Sequence, residues 1–171
     1  MRRLFSAILI TGLALTSLAK ITQAQGLPGM TLLSGPDKTN ILNYFLQSGR
    51  SGEWDRYKLR LPADKLNLAI AEVSITYPDY YKGKIDPKSV EIRLKDENES
   101  IPLEDVIWDQ ENHIIQIYPR EPIPAGTKVE IVLSNVKNPT FGGVFNFNAN
   151  IRSPGDVPML RYVGTWVLTI D

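Results

Sequence analysis

The chain contains no cysteine and a single histidine, His113, among its 171 residues. Without cysteine there is no disulfide to lean on, so an exported chain of this composition must be held by packing alone. With one imidazole and no thiolate, a zinc or copper site lacks the two or more such ligands it normally takes. A Ser-His-Asp arrangement would have to be built on His113, and no serine has the glycines of a nucleophile elbow around it. His113 therefore reads as a surface or hairpin residue that opens a strand, and no cofactor, metal or catalytic residue is expected. A surplus of either charge is also missing, with 19 basic and 19 acidic residues. No run of Lys and Arg marks a nucleic-acid surface, which needs them clustered on one face. The one long apolar run, residues 4–19, falls short of the roughly 20 residues that cross a bilayer.

That run has the layout of a secretory signal peptide. Arg2 and Arg3 give a positive start, an apolar stretch follows, and Thr22-Gln23-Ala24 supplies a small-residue exit. Cleavage is expected after Ala24, with a cut after Ala19 as the alternative. An uncleaved anchor is the competing reading, and the arginine pair also permits twin-arginine export. Cleavage removes Arg2, Arg3 and Lys20 but no acid, which leaves a mature charge of about −3. The organisation read from the chain is a signal peptide at 1–24, a glycine- and proline-spaced surface leader at 25–40, and one domain at 41–171. About 147 mature residues are enough to bury roughly two thirds of the unfolded surface around one core.

What the mature chain does have is alternation. Tyr57, Leu59 and Leu61 interleave with Arg56, Lys58 and Arg60, and Val90, Ile92 and Leu94 interleave with Glu91, Arg93 and Lys95. Phe145 and Phe147 oppose Asn146 and Asn148 in the same way. A period of two is that of half-buried antiparallel strands. Residues 41–46 form an apolar patch without a clean period, a strand or one helical turn, with the strand favoured. Residues 66–77 are the longest apolar run of the mature chain and suggest a central strand that changes face at a bulge near Ala71 or Glu72. Residues 114–118 and 129–136 read as a central hairpin around a turn carrying Pro119, Pro122, Pro124 and Gly126, which cannot lie inside a helix. In the last run, Tyr162, Trp166, Leu168 and Ile170 share one parity. The fold class is all-β: an antiparallel β-sandwich of about eight or nine strands with turns about every ten residues. A closed membrane barrel has similar counts, but most runs here are shorter than the 9 to 11 residues of a spanning strand.

Trp54-Asp55-Arg56-Tyr57, the run Tyr77-Pro78-Asp79-Tyr80-Tyr81 with Gly83, Asp86 and Pro87, residues 118–139, and Ser153-Pro154-Gly155-Asp156-Val157-Pro158 through Gly164-Thr165-Trp166 together resemble the cyanobacterial secreted family catalogued as domain of unknown function 2808. The likeness runs from about Thr31 to the end. It implies an exported protein without an assigned biochemical role, so it transfers no catalytic residue. Ile117-Tyr118-Pro119 followed by Ile123-Pro124-Ala125-Gly126-Thr127 is also similar to the strand, proline turn and strand of bacterial immunoglobulin-like domains, which supports the fold and is silent on activity.

Among surface features, Tyr77, Tyr80 and Tyr81 beside Lys82 form the candidate binding surface, with Lys84 close by. Such a corner is either an amphipathic platform for a sugar ring or partner protein or a tyrosine corner packed on the end of the sandwich. Asp96, Glu97, Asn98 and Glu99 offer oxygen ligands without the rhythm of a calcium loop. Glu104 and Asp105 with Asp109 and Glu111 are the carboxylates a glycan hydrolase would need. Trp54, Trp108 and Trp166 read as core or inter-sheet residues, with a ligand groove lined by them as the alternative. The function expected from these residues is a non-catalytic binding or structural module of the cell envelope whose partner is an envelope protein or polysaccharide, in the periplasm, the outer envelope or outside the cell. A small glycan hydrolase and a protein that pairs through an exposed sheet edge are the alternatives.

Overall fold

A computed structural model of the chain describes residues 36–95, 99–155 and 159–171. The expected signal peptide and most of the leader lie outside the described residues, as do Asp96, Glu97 and Asn98 of the acidic tip. Ten strands are present among the described residues. One sheet has the order β1 (Tyr44–Leu46), β2 (Trp54–Leu61), β8 (Val129–Lys137), β4 (Val90–Leu94) and β5 (Glu99–Ile101). The other runs β10 (Leu160–Ile170), β9 (Gly143–Arg152), β3 (Glu72–Thr76), β7 (Ile114–Pro119) and β6 (Leu103–Asp109). We call them the first and second sheets. Every strand pair is antiparallel. The fold is the expected all-β immunoglobulin-like sandwich. The strand count exceeds eight or nine because Pro102, which has no backbone N–H to donate, separates β5 from β6, and the two lie in different sheets.

Alternation builds the core. Tyr57, Leu59 and Leu61 of β2 and Ile131 and Leu133 of β8 face Val73, Ile75, Ile115, Ile117, Phe147 and Trp166 of the second sheet, and all are at most 1 % exposed. Burying each such side chain is worth about 1.5–3 kcal/mol, and this layer carries the fold in the absence of any disulfide.

Four expectations need correction. The segments 114–118 and 129–136 are not a hairpin, because β7 belongs to the second sheet and β8 to the first. The proline-rich connection crosses the end of the sandwich instead, and Ile123 is buried there in a paired bridge with Ile70. Residues 66–77 form a strand only from Glu72, with no bulge at Ala71. Before it, Leu66 and Ile70 drop into the core from a loop while Leu68 is exposed. In β10 a register shift between Tyr162 and Gly164 turns Tyr162 outward, so it does not share the buried side of Trp166, Leu168 and Ile170. Of the tryptophans only Trp166 is a core residue. Trp108 is half-buried and Trp54 is 65 % exposed.

The long edge strand β10 is covered along its free side. Lys65 Nζ donates to the Val163 carbonyl, the Leu42 N–H to the Thr165 carbonyl at 2.8 Å, and the Thr169 N–H to the Tyr44 hydroxyl. Asp171 exchanges backbone hydrogen bonds with Gly49 and Ser51. Gly164 makes the approach of residues 40–42 possible, since a Cβ there would lie 2.6 Å from the Asn40 carbonyl oxygen.

Candidate functional site

The tyrosine corner divides between core and surface. Tyr77 and Tyr81 are 7 % and 3 % exposed. The Tyr77 ring stacks on Phe147 with centroids 5.5 Å apart, and its hydroxyl accepts from Trp108 Nε1 at 2.7 Å. The Tyr81 ring stands edge-on to Phe145 and Phe147. Tyr80 and Lys82 remain at the surface, and the Tyr80 hydroxyl donates to the Val144 carbonyl. The four residues thus do not make one flat platform: half of the set is packing.

Below the corner lies a buried polar chain. The Tyr57 hydroxyl donates to Asn138 Oδ1, and the two tyrosine hydroxyls, Tyr57 and Tyr81, are 3.1 Å apart. A phenol has one proton, so Tyr81 is the donor of that second bond. Asn138 Nδ2 donates to Asp55 Oδ2 at 3.0 Å and to the Arg50 carbonyl at 2.8 Å. Burial pushes both phenols far above the ordinary tyrosine range. Burial also pushes the Asp55 carboxyl up, but the N–H of Ser48, the Asn138 amide and the N–H groups of Gly49 and Arg56 together outweigh it and hold Asp55 below its usual value. The chain fixes the turn between β1 and β2, and so the base of Trp54.

Trp54 starts β2 with its ring in solvent. The register between β2 and β8 slips at this point, since Asp55 pairs with Val136 but Tyr57 with Leu133, which leaves an extra residue on β8. Asn135 takes the left-handed backbone conformation there, with φ of 54°. Asn tolerates that region better than most residues, and such outliers point to function when the surroundings hold them. Here the Asn135 amide donates to Ser89 Oγ at 2.9 Å and to Asp86 Oδ2 at 3.4 Å. The result is a tryptophan standing between two open hollows. One, of about 320 Å³, is lined by Gln47, Asp55, Arg56, Ser134 and Asn135 beside the ring. The other, of about 400 Å³, is lined by Lys84, Ile85, Asp86 and Asn135. Lys137 Nζ lies 5.3 Å from the ring centroid and fixes one side of it. Sequence reasoning preferred the core for Trp54 over a ligand groove, although the signal for exposure is in the parity: Trp54 counts with Arg56, Lys58 and Arg60, not with Tyr57, Leu59 and Leu61.

Two of the candidate acids, Asp105 and Asp109, stay apart. Asp105 and Asp109 share the outer side of β6, four residues and so about 13 Å apart along the strand. A glycosidase pair lies within about 5–9.5 Å. Asp109 instead accepts from the N–H groups of Glu111 and Asn112 and from the Asn112 amide, contacts that cap the β6–β7 turn and hold its carboxyl low. His113 also has a left-handed φ and sets its ring edge-on to Tyr77. Among the described residues no three His, Asp or Glu side chains converge as a metal site would require.

The sequence profile of a family described as a protein of unknown function, DUF2808, matches residues 31–170. The chain belongs to this family. No curated protein sequence matches this DUF2808 chain. Among solved structures it is similar to BslA, described as a bacterial hydrophobin, with a TM-score of 0.51 and 12 % identity over 77 % of this chain and 97 % of that one. It is also similar to an uncharacterized protein from Nocardia farcinica with an immunoglobulin-like fold, at a TM-score of 0.41 and 10 % identity over 76 % and 97 % of the two chains. The collagen-binding domain of a Staphylococcus aureus adhesin matches at 0.39 and 12 % identity, over 75 % and 95 %. The likeness to BslA speaks for the sandwich of the DUF2808 chain.

Proposed function

We propose that this DUF2808 protein is an exported, non-catalytic module of the cell envelope that binds a polysaccharide at Trp54. The observation that carries the reading is the exposed indole, 65 % accessible and pinned by Lys137, between two hollows lined with amide, hydroxyl and charged groups. A sugar ring presents an apolar face to such an indole and hydroxyls to the groups beside it. Export rests on the signal-like residues 1–24. The non-catalytic part rests on the separation of the β6 acids and on the use of Asp109 as a turn cap.

The test is retention on immobilised envelope polysaccharide. Trp54→Ala is expected to abolish retention while the thermal midpoint stays within about 2 °C, because an exposed side chain contributes little to stability. Undiminished retention by the variant would remove Trp54 from the site. Tyr80→Ala is the informative companion, since it samples the exposed part of the tyrosine corner without disturbing Tyr81.

A further inference from the structure

The outward positions of the first sheet carry an uneven charge. Arg56, Lys58 and Arg60 project from β2, Arg93 and Lys95 from β4 and its end, and Lys137 from the end of β8. Among the described residues at these outward positions only Glu91 and Glu130 oppose them, so six cations stand against two carboxylates there. Arg60 and Lys95 share Glu130, at 3.0 Å and 3.7 Å, and Arg93 pairs with Glu91 at 2.7 Å. Arg56 meets the Ser134 hydroxyl, Lys58 lies over the Phe45 ring at 5.9 Å, and Lys137 over Trp54. Lys84 and Asp86, one of each sign, flank the Trp54 end. The second sheet is different. The outward positions of β9 carry Asn146, Asn148 and Asn150, beside Ser74 and Thr76 of β3 and Thr165 of β10, and its buried Glu72 is matched by Arg152 at 2.5 Å. A chain with an overall deficit of positive charge once processed has therefore gathered its surplus on one face. The absence of a basic run in the sequence hid this, because alternation spaces the cations two residues apart.

We propose that the polysaccharide is anionic and lies extended along β2, from Arg60 past Lys58 and Arg56 to Trp54. This rests on the reading of Trp54 as a sugar platform and adds the chemical class of the polymer and the residues that select it. Same-side residues of a strand are about 7 Å apart, so three cations and the indole line a track of about 20 Å on an open sheet face. An extended chain of uronate-like sugars supplies a carboxylate at each cation and a ring face at Trp54, and the shallow hollows leave such a chain room to enter and leave along its length.

The experiment uses the mature protein and compares polygalacturonate with dextran, an uncharged polymer of similar length, by affinity electrophoresis at low and high salt. Polygalacturonate should bind and dextran should not. Binding should weaken as ionic strength rises from about 0.01 to 0.3 M, where screening closes to within a few ångströms. Arg56→Gln with Lys58→Gln should weaken it about tenfold, or about 1.4 kcal/mol, whereas Arg120→Gln with Lys38→Gln, the same charge change on other surfaces, should alter it less than twofold. Equal binding of dextran would overturn the anionic assignment and keep the Trp54 reading. Binding of neither polymer would overturn both. Tighter binding to vesicles containing phosphatidylglycerol than to polygalacturonate would also overturn it, in favour of a membrane surface, as would equal weakening by the two double variants.

Discussion

Removing one oxygen from Tyr57 should cost several times more than removing one from Tyr81. The asymmetry follows from the direction of the protons. In Tyr57→Phe, Asn138 Oδ1 loses its donor and the Tyr81 hydroxyl loses its acceptor, both inside the protein. Each stranded buried group costs about 1–3 kcal/mol, so the variant should lose about 3 kcal/mol. In Tyr81→Phe the Tyr57 hydroxyl still donates to Asn138 and only an accepted bond disappears, a loss of about 1 kcal/mol. For a domain of this size the two values correspond to about 12 °C and about 4 °C in thermal midpoint. Urea denaturation followed by the fluorescence of the buried Trp166 measures both. The reasoning fails if Tyr81→Phe is as damaging as Tyr57→Phe, because the proton order along the chain would then be reversed or the chain would not act as a unit.

Asp55 gives a pH dependence of definite sign. Its carboxyl is held lower in the folded protein than in an unfolded chain, where it titrates near 3.9, so its stabilisation is complete above about pH 5 and is lost progressively as pH falls through the unfolded and then the folded value. Asp55→Asn should be less stable than the parent at neutral pH and should lose less additional stability below about pH 4 in acid-titrated denaturation curves. Gly164→Ala should cost about 1–3 kcal/mol by overpacking, since the new methyl meets the Asn40 carbonyl and the Leu42 side chain. Hydrogen exchange should then show the Leu42 amide opening faster while amides of β3 keep their protection.

The sheets were legible wherever one residue in two was apolar, and this covered β2, β4 and β9 almost to their ends. Legibility failed where pairing departs from a plain ladder. The slip opposite Asp55 and Tyr57 depends on Asn135 adopting a left-handed backbone, and an isolated Asn does not announce that. The register shift between Tyr162 and Gly164 likewise inverted the last parity. Whether β7 and β8 pair or part is a question of which partners offer better burial, and that is settled by Ile70 and Ile123 meeting across the connection, far apart in sequence. The tyrosine corner was visible as a place but not as a division of labour, because burial of Tyr77 and Tyr81 beside an exposed Tyr80 depends on Phe145, Phe147 and Trp108 arriving from other strands. Trp54 could have been assigned from its parity, had the habit of placing tryptophan in cores not prevailed over the count.

The sealing of β10 by residues 41–51 limits how copies of this protein can join. Strand-to-strand growth of a fibre requires each molecule to offer two free borders, one for the neighbour ahead and one for the neighbour behind. Among the described residues, β1 and β5 are three residues long and β10 is occupied, which leaves β6 as the one extended border, itself carrying Glu104, Asp105 and Asp109. A single border is consumed when two molecules meet, so pairing through the described strands alone joins two molecules and offers no border for a third.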